Sequence, residues 1–232
     1  MATIVRDDTV ANISTSGGVW DTFFVERFYG GSAISPPFAS NAQGDTGQYG
    51  SLTMTFQGVY SMNACMHIQE SMRCCLGTSI AIIGNTPNAL SSQWAFVSID
   101  GGPEYNVSYM DPAPPSARQW FQSPTLSDGT HTINISRIAG TSIDFVVITP
   151  GQDTPLSGET LIVDDGDPSI TYTGSWELNT SPYNCGYDPR VSLPYGNSTH
   201  QTNSAGASAT FRFSGMSYLA TDMLTVGLLC YQ

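Results

Sequence analysis

No stretch of this chain runs far before it meets a turn. Ser16-Gly17-Gly18, Gly30-Gly31, Gly44-Asp45, Asp100-Gly101-Gly102 and Asp128-Gly129 punctuate it at short intervals. Glycine and aspartate in such clusters reverse a chain, because they accept positive φ and bond to the local backbone. Between the turns the apolar residues alternate. Leu52, Met54 and Phe56 share one face of residues 51–56, Ile133 and Ile135 one face of 131–135, and Phe211 and Phe213 one face of 208–213. A period of two marks strands half-buried in an antiparallel sheet. Residues 79–83 and 145–148 are apolar throughout and read as strands buried on both sides. The pattern predicts an all-β fold, a β-sandwich or jelly roll.

Composition closes the alternatives. Charged residues make up 11% of the chain and lysine is absent, which excludes helix bundles and coiled coils. Hydrophobic residues at 40% exclude a fully disordered chain. With 232 residues there is room for one large domain or two modest ones. The 19 acidic residues against 7 arginines give a net charge of -12. Such a chain is a poor partner for nucleic acid or an anionic membrane surface. No apolar run reaches the length of a membrane span. The start, MATIVRDD, lacks the basic and apolar segments of a secretory signal. Sequons at Asn12, Asn106, Asn134, Asn179 and Asn197 say little about export in a chain so rich in Ser and Thr. The five cysteines are odd in number, and Cys65, Cys74 and Cys75 are bunched, so they form no disulfide framework.

The chain also repeats itself. IVRDDTVANISTSGGVW (residues 4–20) returns as IVDDGDPSITYTGSW (162–176), and GSLTMTFQG (50–58) as ASATFRFSG (207–215). The expected organisation is one jelly-roll unit over 1–150, a Pro/Gly linker over 151–161, and the first half of a second unit over 162–232. Two segments break the pattern at the same repeat position. Residues 59–76 hold three cysteines and three methionines in an irregular insert, and residues 216–232 replace the later strands of the second unit. Both are expected to be intron or gene-model sequence carried into the chain. Half a jelly roll leaves open edges and an uncovered apolar face. The second unit is therefore expected to be poorly ordered, to pack on the first, or to pair with another chain.

These segments, with GTSIAIIG, SIDGGP and FQSPTLSDGTHTINI…IDFVVITP, resemble the tandem β-jelly-roll, galactose-binding-like domains of mushroom-forming fungi, a family that includes the oyster-mushroom lectin. The resemblance covers the first unit apart from 59–76 and the first half of the second. It departs where the first Asp pair lacks the Asp-Pro that follows the second. It implies a non-catalytic carbohydrate-binding protein, lectin-like, with glycans as partners, galactose-type sugars and bound calcium. Its location would then be extracellular or at the cell surface, and a homo-oligomer would raise avidity. An adhesion or sensing ectodomain is the alternative, and a glycoside hydrolase or its accessory domain a further one.

By that resemblance Asp7, Asp8 and Asp144 are the candidate calcium ligands, with Asp7 and Asp8 on the first strand and Asp144 on the last. Calcium takes six to eight oxygens, and adjacent strand residues point apart, so Asp7 and Asp8 both ligate only where the strand bends. The alternative is strand-end capping of local N–H groups. Asp164 and Asp165 would miss the late-strand partner, so a second site should be weak. A sugar needs an aromatic plate for its C–H face and polar groups for its hydroxyls. Trp20, Asp21, Trp120 and Arg118 are the candidates, with Tyr29, Trp94, Tyr105, Tyr109 and Asn41 as further partners. Trp20 reads equally as a core residue. An enzyme is not expected. No G-x-S-x-G, H-E-x-x-H, P-loop or G-x-G-x-x-G occurs, and no carboxylate pair is singled out for glycosidase chemistry. His131 is expected to be solvated in its hairpin, and Asp100-Gly101-Gly102 to be a plain turn.

Overall fold

A computed structural model describes residues 3–7, 11, 13–18, 20–24, 29–36, 40–41, 44–45, 49–57, 77–87, 94–109, 118–127, 129–151, 154, 156, 159–182, 194–212 and 225–226. Asp8, the insert at 59–76, and all of 216–232 but residues 225–226 lie outside them. The architecture is all-β, as the alternation requires. The strands in chain order are β1 (Thr3–Asp7), β2 (Ile13–Ser16), β3 (Asp21–Phe24), β4 (Ser32–Ser35), β5 (Ser40–Asn41), β6 (Gly44–Asp45), β7 (Gly50–Gln57), β8 (Ser79–Gly84), β9 (Trp94–Ile99) and β10 (Tyr105–Ser108). They continue with β11 (Arg118–Gln122), β12 (Thr130–Ile138), β13 (Phe145–Thr149), β14 (Leu161–Ile162), β15 (Ile170–Thr173), β16 (Glu177–Asn179), β17 (Thr199–Gln201), β18 (Ser208–Phe211) and β19 (Thr225–Val226).

Two five-stranded antiparallel sheets form the body. One runs β11-β8-β13-β1-β14, the other β10-β9-β12-β7-β2. Their facing sides hold the main core. Ile4, Ile80, Ile82, Val146 and Ile148 come from the first sheet, and Leu52, Met54, Phe56, Val97, Ile133 and Ile135 from the second. Each is at most 2% exposed, and burying a side chain of this size contributes about 1.5–3 kcal/mol. The first sheet is also covered on its other side. Val5, Ala81, Ile83, Phe145 and Val147 pack there under Tyr29, Ile162 and Tyr195. That second cover is why 79–83 and 145–148 carry no polar alternation.

The later residues attach to the first sheet edge-on. β14 pairs with β1, Thr3 opposite Ile162 and Ile4 opposite Leu161. Thr3 and Tyr195 join hydroxyls at 3.0 Å, and Arg6 pairs with Glu159 in an almost fully buried ion pair. β15 and β18 align Ile170 with Phe211 and Thr173 with Ser208. β2 and β7 align Ile13 with Met54 and Ser16 with Ser51. The side chains differ in cover: Met54 is 2% exposed, whereas Phe211 is 41% and Leu178 56% exposed.

His131 is not solvated. It is 7% exposed, on β12 beside Phe56. Its Nδ1 lies 2.8 Å from Asp100 Oδ2 and its Nε2 2.7 Å from the Ser127 carbonyl. The other Asp100 oxygen accepts the Thr132 N–H at 2.7 Å. The Asp100 turn is therefore a clamp on β12 as well as a reversal.

Candidate functional site

Two acidic residues meet at a tight turn. Asp7 ends β1 and is 9% exposed, while Asp144 precedes β13 and is 2% exposed. Asp7 stands opposite Phe145, the residue after Asp144, and each aspartate reaches the same turn from its own strand. Between them comes a 3-10 turn, Tyr29–Gly31. The Tyr29 N–H donates to Asp144 Oδ1 at 2.8 Å. Gly30 has φ 67°, and a Cβ there would fall 1.9 Å from Asp7 Oδ2. Only glycine fits, for conformation and for space.

The same device recurs later. Gly196, φ 71°, sits in the turn Tyr195–Asn197, and its Cβ would fall 1.9 Å from Asp164 Oδ2. Burial pushes the Asp164 carboxyl above its usual range, partly offset by a bond from the Gly166 N–H. Asp165 is 1% exposed and accepts from His200 Nδ1 at 2.6 Å and Ser198 Oγ at 3.3 Å. The His200 ring stacks on Tyr172 at 4.2 Å. Tyr-Gly-x-Ser in both turns, Tyr29 to Ser32 and Tyr195 to Ser198, is the sequence signal for this device. Among the described residues no group of three or more His, Cys, Asp or Glu gathers as a metal cage.

The residues expected to hold sugar take different places. Trp120 is 2% exposed, donates its indole N–H to the Ser142 carbonyl at 2.9 Å, and meets Tyr109 edge-on. It is a core residue with no face to offer. Tyr109 is buried with it, at 4% exposure. Trp20 is half-buried, bonded to the Ser16 carbonyl at 3.1 Å and closed over Gly50, where a Cβ would meet its ring at 2.7 Å. Asp21 is exposed at the start of β3, opposite Ser35. Arg118 opens β11, and its side chain lies outside the described residues, as does that of Asn41. Tyr105 is 40% exposed on the edge strand β10.

The solvent side of the second sheet forms a different surface. Directly opposed residues in an antiparallel ladder point the same way. Ser14, Thr53, Asn134 and Ser98 therefore make one row across β2, β7, β12 and β9, with Ser98 buried at its end and its hydroxyl donated to the Gly102 carbonyl at 2.8 Å. Ser136, Phe96 and Asn106 make a second, and Trp94 and Ser108 a third. Thr53 Oγ1 donates to Asn134 Oδ1 at 2.7 Å, which fixes the amide. Register shifts between Ile135 and Ile138, and Arg137 takes φ 65°. A bulge re-aims side chains, and here it lays the guanidinium over the rings of Trp94 at 4.2 Å and Tyr49 at 4.6 Å. Arg137 also donates to the Tyr49 hydroxyl at 3.1 Å. Trp94 meets Phe96 edge-on at 5.0 Å. The outward positions described on these five strands hold no aspartate or glutamate. The result is a Ser/Thr/Asn surface with an aromatic and arginine cluster at one side. Its signal in the sequence is the polar half of the same alternation that reveals the core. The bulge that delivers Arg137 has no such signal.

No family model matches the chain. Among curated proteins, the A type blood alpha-D-galactosamine galactosaminidase of Flavonifractor plautii is 26% identical over 211 residues, which is 90% of this chain and 16% of that enzyme. Among solved structures, the exo-β-1,3-galactanase of Phanerochaete chrysosporium is similar at 13% identity and a TM-score of 0.37, over 62% of this chain and 29% of that one. A Podospora anserina GH26-CBM35 β-(1,4)-mannanase gives 16%, 0.37, 66% and 29% in the same order. A family 35 carbohydrate-binding module from Clostridium thermocellum gives 15%, 0.32, 62% and 98%. The chain thus spans less than a third of each of these three enzymes.

Proposed function

We propose that the protein is a non-catalytic carbohydrate-binding module whose sugar lies on the outer face of the second sheet. The observation that carries this reading is the Trp94–Phe96–Arg137–Tyr49 cluster set beside rows of Ser, Thr and Asn. Aromatic rings accept the C–H faces of sugars, while hydroxyls, amides and a guanidinium fixed in place meet their hydroxyls. The outward side chains offer hydrogen bonds but no pair of carboxylates of the kind that breaks a glycosidic bond. An accessory role is favoured by the match of nine-tenths of this chain to a small part of a galactosaminidase. Galactose-type sugars follow from that relative's name and from the resemblance to the fungal jelly-roll domains.

Calcium belongs to the same proposal at a separate place. Asp7 and Asp144 would hold it from the strand ends around the Tyr29–Gly31 turn, with backbone carbonyls and water completing the shell. Its role would be to tie β1, β13 and the turn together, so its loss should register in stability. Thermal melts with calcium and with chelator test this. The wild type should melt several degrees higher with calcium, and Asp144→Asn should abolish the difference. An equal melting temperature in both conditions removes calcium from the account.

A glycan array probed with the wild type and with Trp94→Ala tests the main reading. Binding to a defined set of glycans, lost in the variant while its melting curve stays cooperative, supports it. Binding unchanged by Trp94→Ala, or an array with no signal, contradicts it. Hydrolysis of aryl-glycosides that survives purification would overturn the non-catalytic part.

A further inference from the structure

We infer that the outer face of the second sheet takes an internal stretch of a linear, uncharged polysaccharide lying across the strands, and not a single terminal sugar; this rests on the saccharide reading above. The polar rows run across the strands, not along them: Ser14–Thr53–Asn134–Ser98 is a line through four neighbours, and Asn106 carries the next row to the fifth. At about 4.8 Å per strand, the strip from β2 to β10 is about 19 Å long, more than one pyranose ring covers. β2 and β10 are the outer strands of that sheet, and among the described residues no further strand of it lies beyond either end. A strip of that length suits a run of several sugar rings better than a pocket for one terminal ring.

Charge points the same way. The chain carries -12, yet the outward positions described within these five strands hold no carboxylate, Asp100 and Glu104 standing just beyond the ends of β9 and β10, and their single cation, Arg137, lies against two rings. Its guanidinium also donates to the Tyr49 hydroxyl at 3.1 Å, so the cation is held within the cluster. The strip is also graded. Trp94 and Phe96 lie on β9 beside one edge, while Ser14 and Ser16 on β2 mark the other. A ring of the glycan would be gripped at the aromatic end, and its neighbours read by hydroxyls and amides.

Titration calorimetry on the full chain tests this with oligosaccharide ladders from β-1,3-galactan, β-1,4-mannan and β-1,4-xylan. For at least one ladder, affinity should rise about tenfold or more from the monosaccharide to the trisaccharide and then level off. Phe96→Ala should weaken every member of that ladder. Asn106→Ala, beside Phe96, should also weaken every member, whereas Ser14→Ala, at the end of the strip away from the rings, should weaken the longest oligosaccharides several-fold more than the shortest. Circular dichroism melts of the three variants confirm folding. Equal affinity for one sugar and for six overturns the inference and leaves saccharide binding standing. Length dependence untouched by all three variants overturns the placement on this face. No heat with any ladder removes the saccharide reading together with the inference.

Discussion

His131 faces two acceptors, a carboxylate and a carbonyl, an arrangement that favours the ring with both nitrogens protonated. Burial alone would lower its pKa, but the bonds to Ser127 and Asp100 outweigh that and raise it. The bond to His131, with help from the Thr132 N–H, holds Asp100 below the usual carboxylate range. The two shifts bound a pH window. The histidine contributes fully below its ordinary value of about 6.5, and that stability is lost as pH rises through the higher folded value. The aspartate contributes above its ordinary value of about 3.9, and that is lost as pH falls through the lower folded value. Thermal melts should therefore peak between about pH 4 and 6.5. Asp100→Asn keeps a residue that tolerates the positive φ of this turn and removes the charge. It should cost about 1–3 kcal/mol in urea unfolding at pH 6 and shift the alkaline loss to lower pH. A pH profile identical to the wild type would contradict the clamp. The sequence hides this residue because a histidine beside a turn reads as solvated. Only the fold brings Asp100 and Ser127 to it. Trp120 is hidden for the opposite reason: a tryptophan carries the same letter whether its ring faces a ligand or a core.

Alternation told the elements well, because period two is imposed by the pleat and the core together. The segments around Leu52–Phe56, Ile133–Ile135, 79–83 and 145–148 all lie in strands of the two sheets. Less legible were the turns that close on buried aspartates. Gly30-Gly31 reads as a reversal, yet the two glycines have different reasons. Gly30 leaves no room beside Asp7, whereas a Cβ at Gly31, φ 83°, meets nothing within 4 Å. Gly31→Ala should cost about 1–2 kcal/mol from backbone strain alone. Gly30→Ala adds a clash with a buried carboxylate and should cost clearly more, about 3 kcal/mol or above. Denaturant unfolding of both variants measures the difference, and equal losses would contradict the close approach of Asp7. Bulges escape the sequence altogether, and with them Arg137: the pattern gives it one face, and the register shift gives it another.

At the scale of the whole molecule, the sheets divide their labour. The first sheet is buried on both sides and also carries the contact with the later residues through β14, Tyr195 and the Arg6–Glu159 pair. The second sheet buries one side and presents the other, and its presented side is where the polar rows and the Trp94–Arg137 cluster lie. That division was legible in the sequence only as architecture, because alternation marks which side of a strand is buried and not which residues of several strands gather on its open side. Trp20 and Asp21, and Arg118 and Trp120, are aromatic and polar neighbours along the chain, whereas the outer face assembles residues from five strands, with Trp94 the sequence candidate that lies on it. Backbone amide NMR during titration with an oligosaccharide that the array selects addresses the central claim most directly. The account predicts chemical-shift changes concentrated on Trp94, Phe96, Asn106, Asn134 and Arg137, with the first sheet silent. Changes concentrated around Trp20 and Asp21, or on the Asp7–Asp144 turn, with the outer face silent, would contradict it.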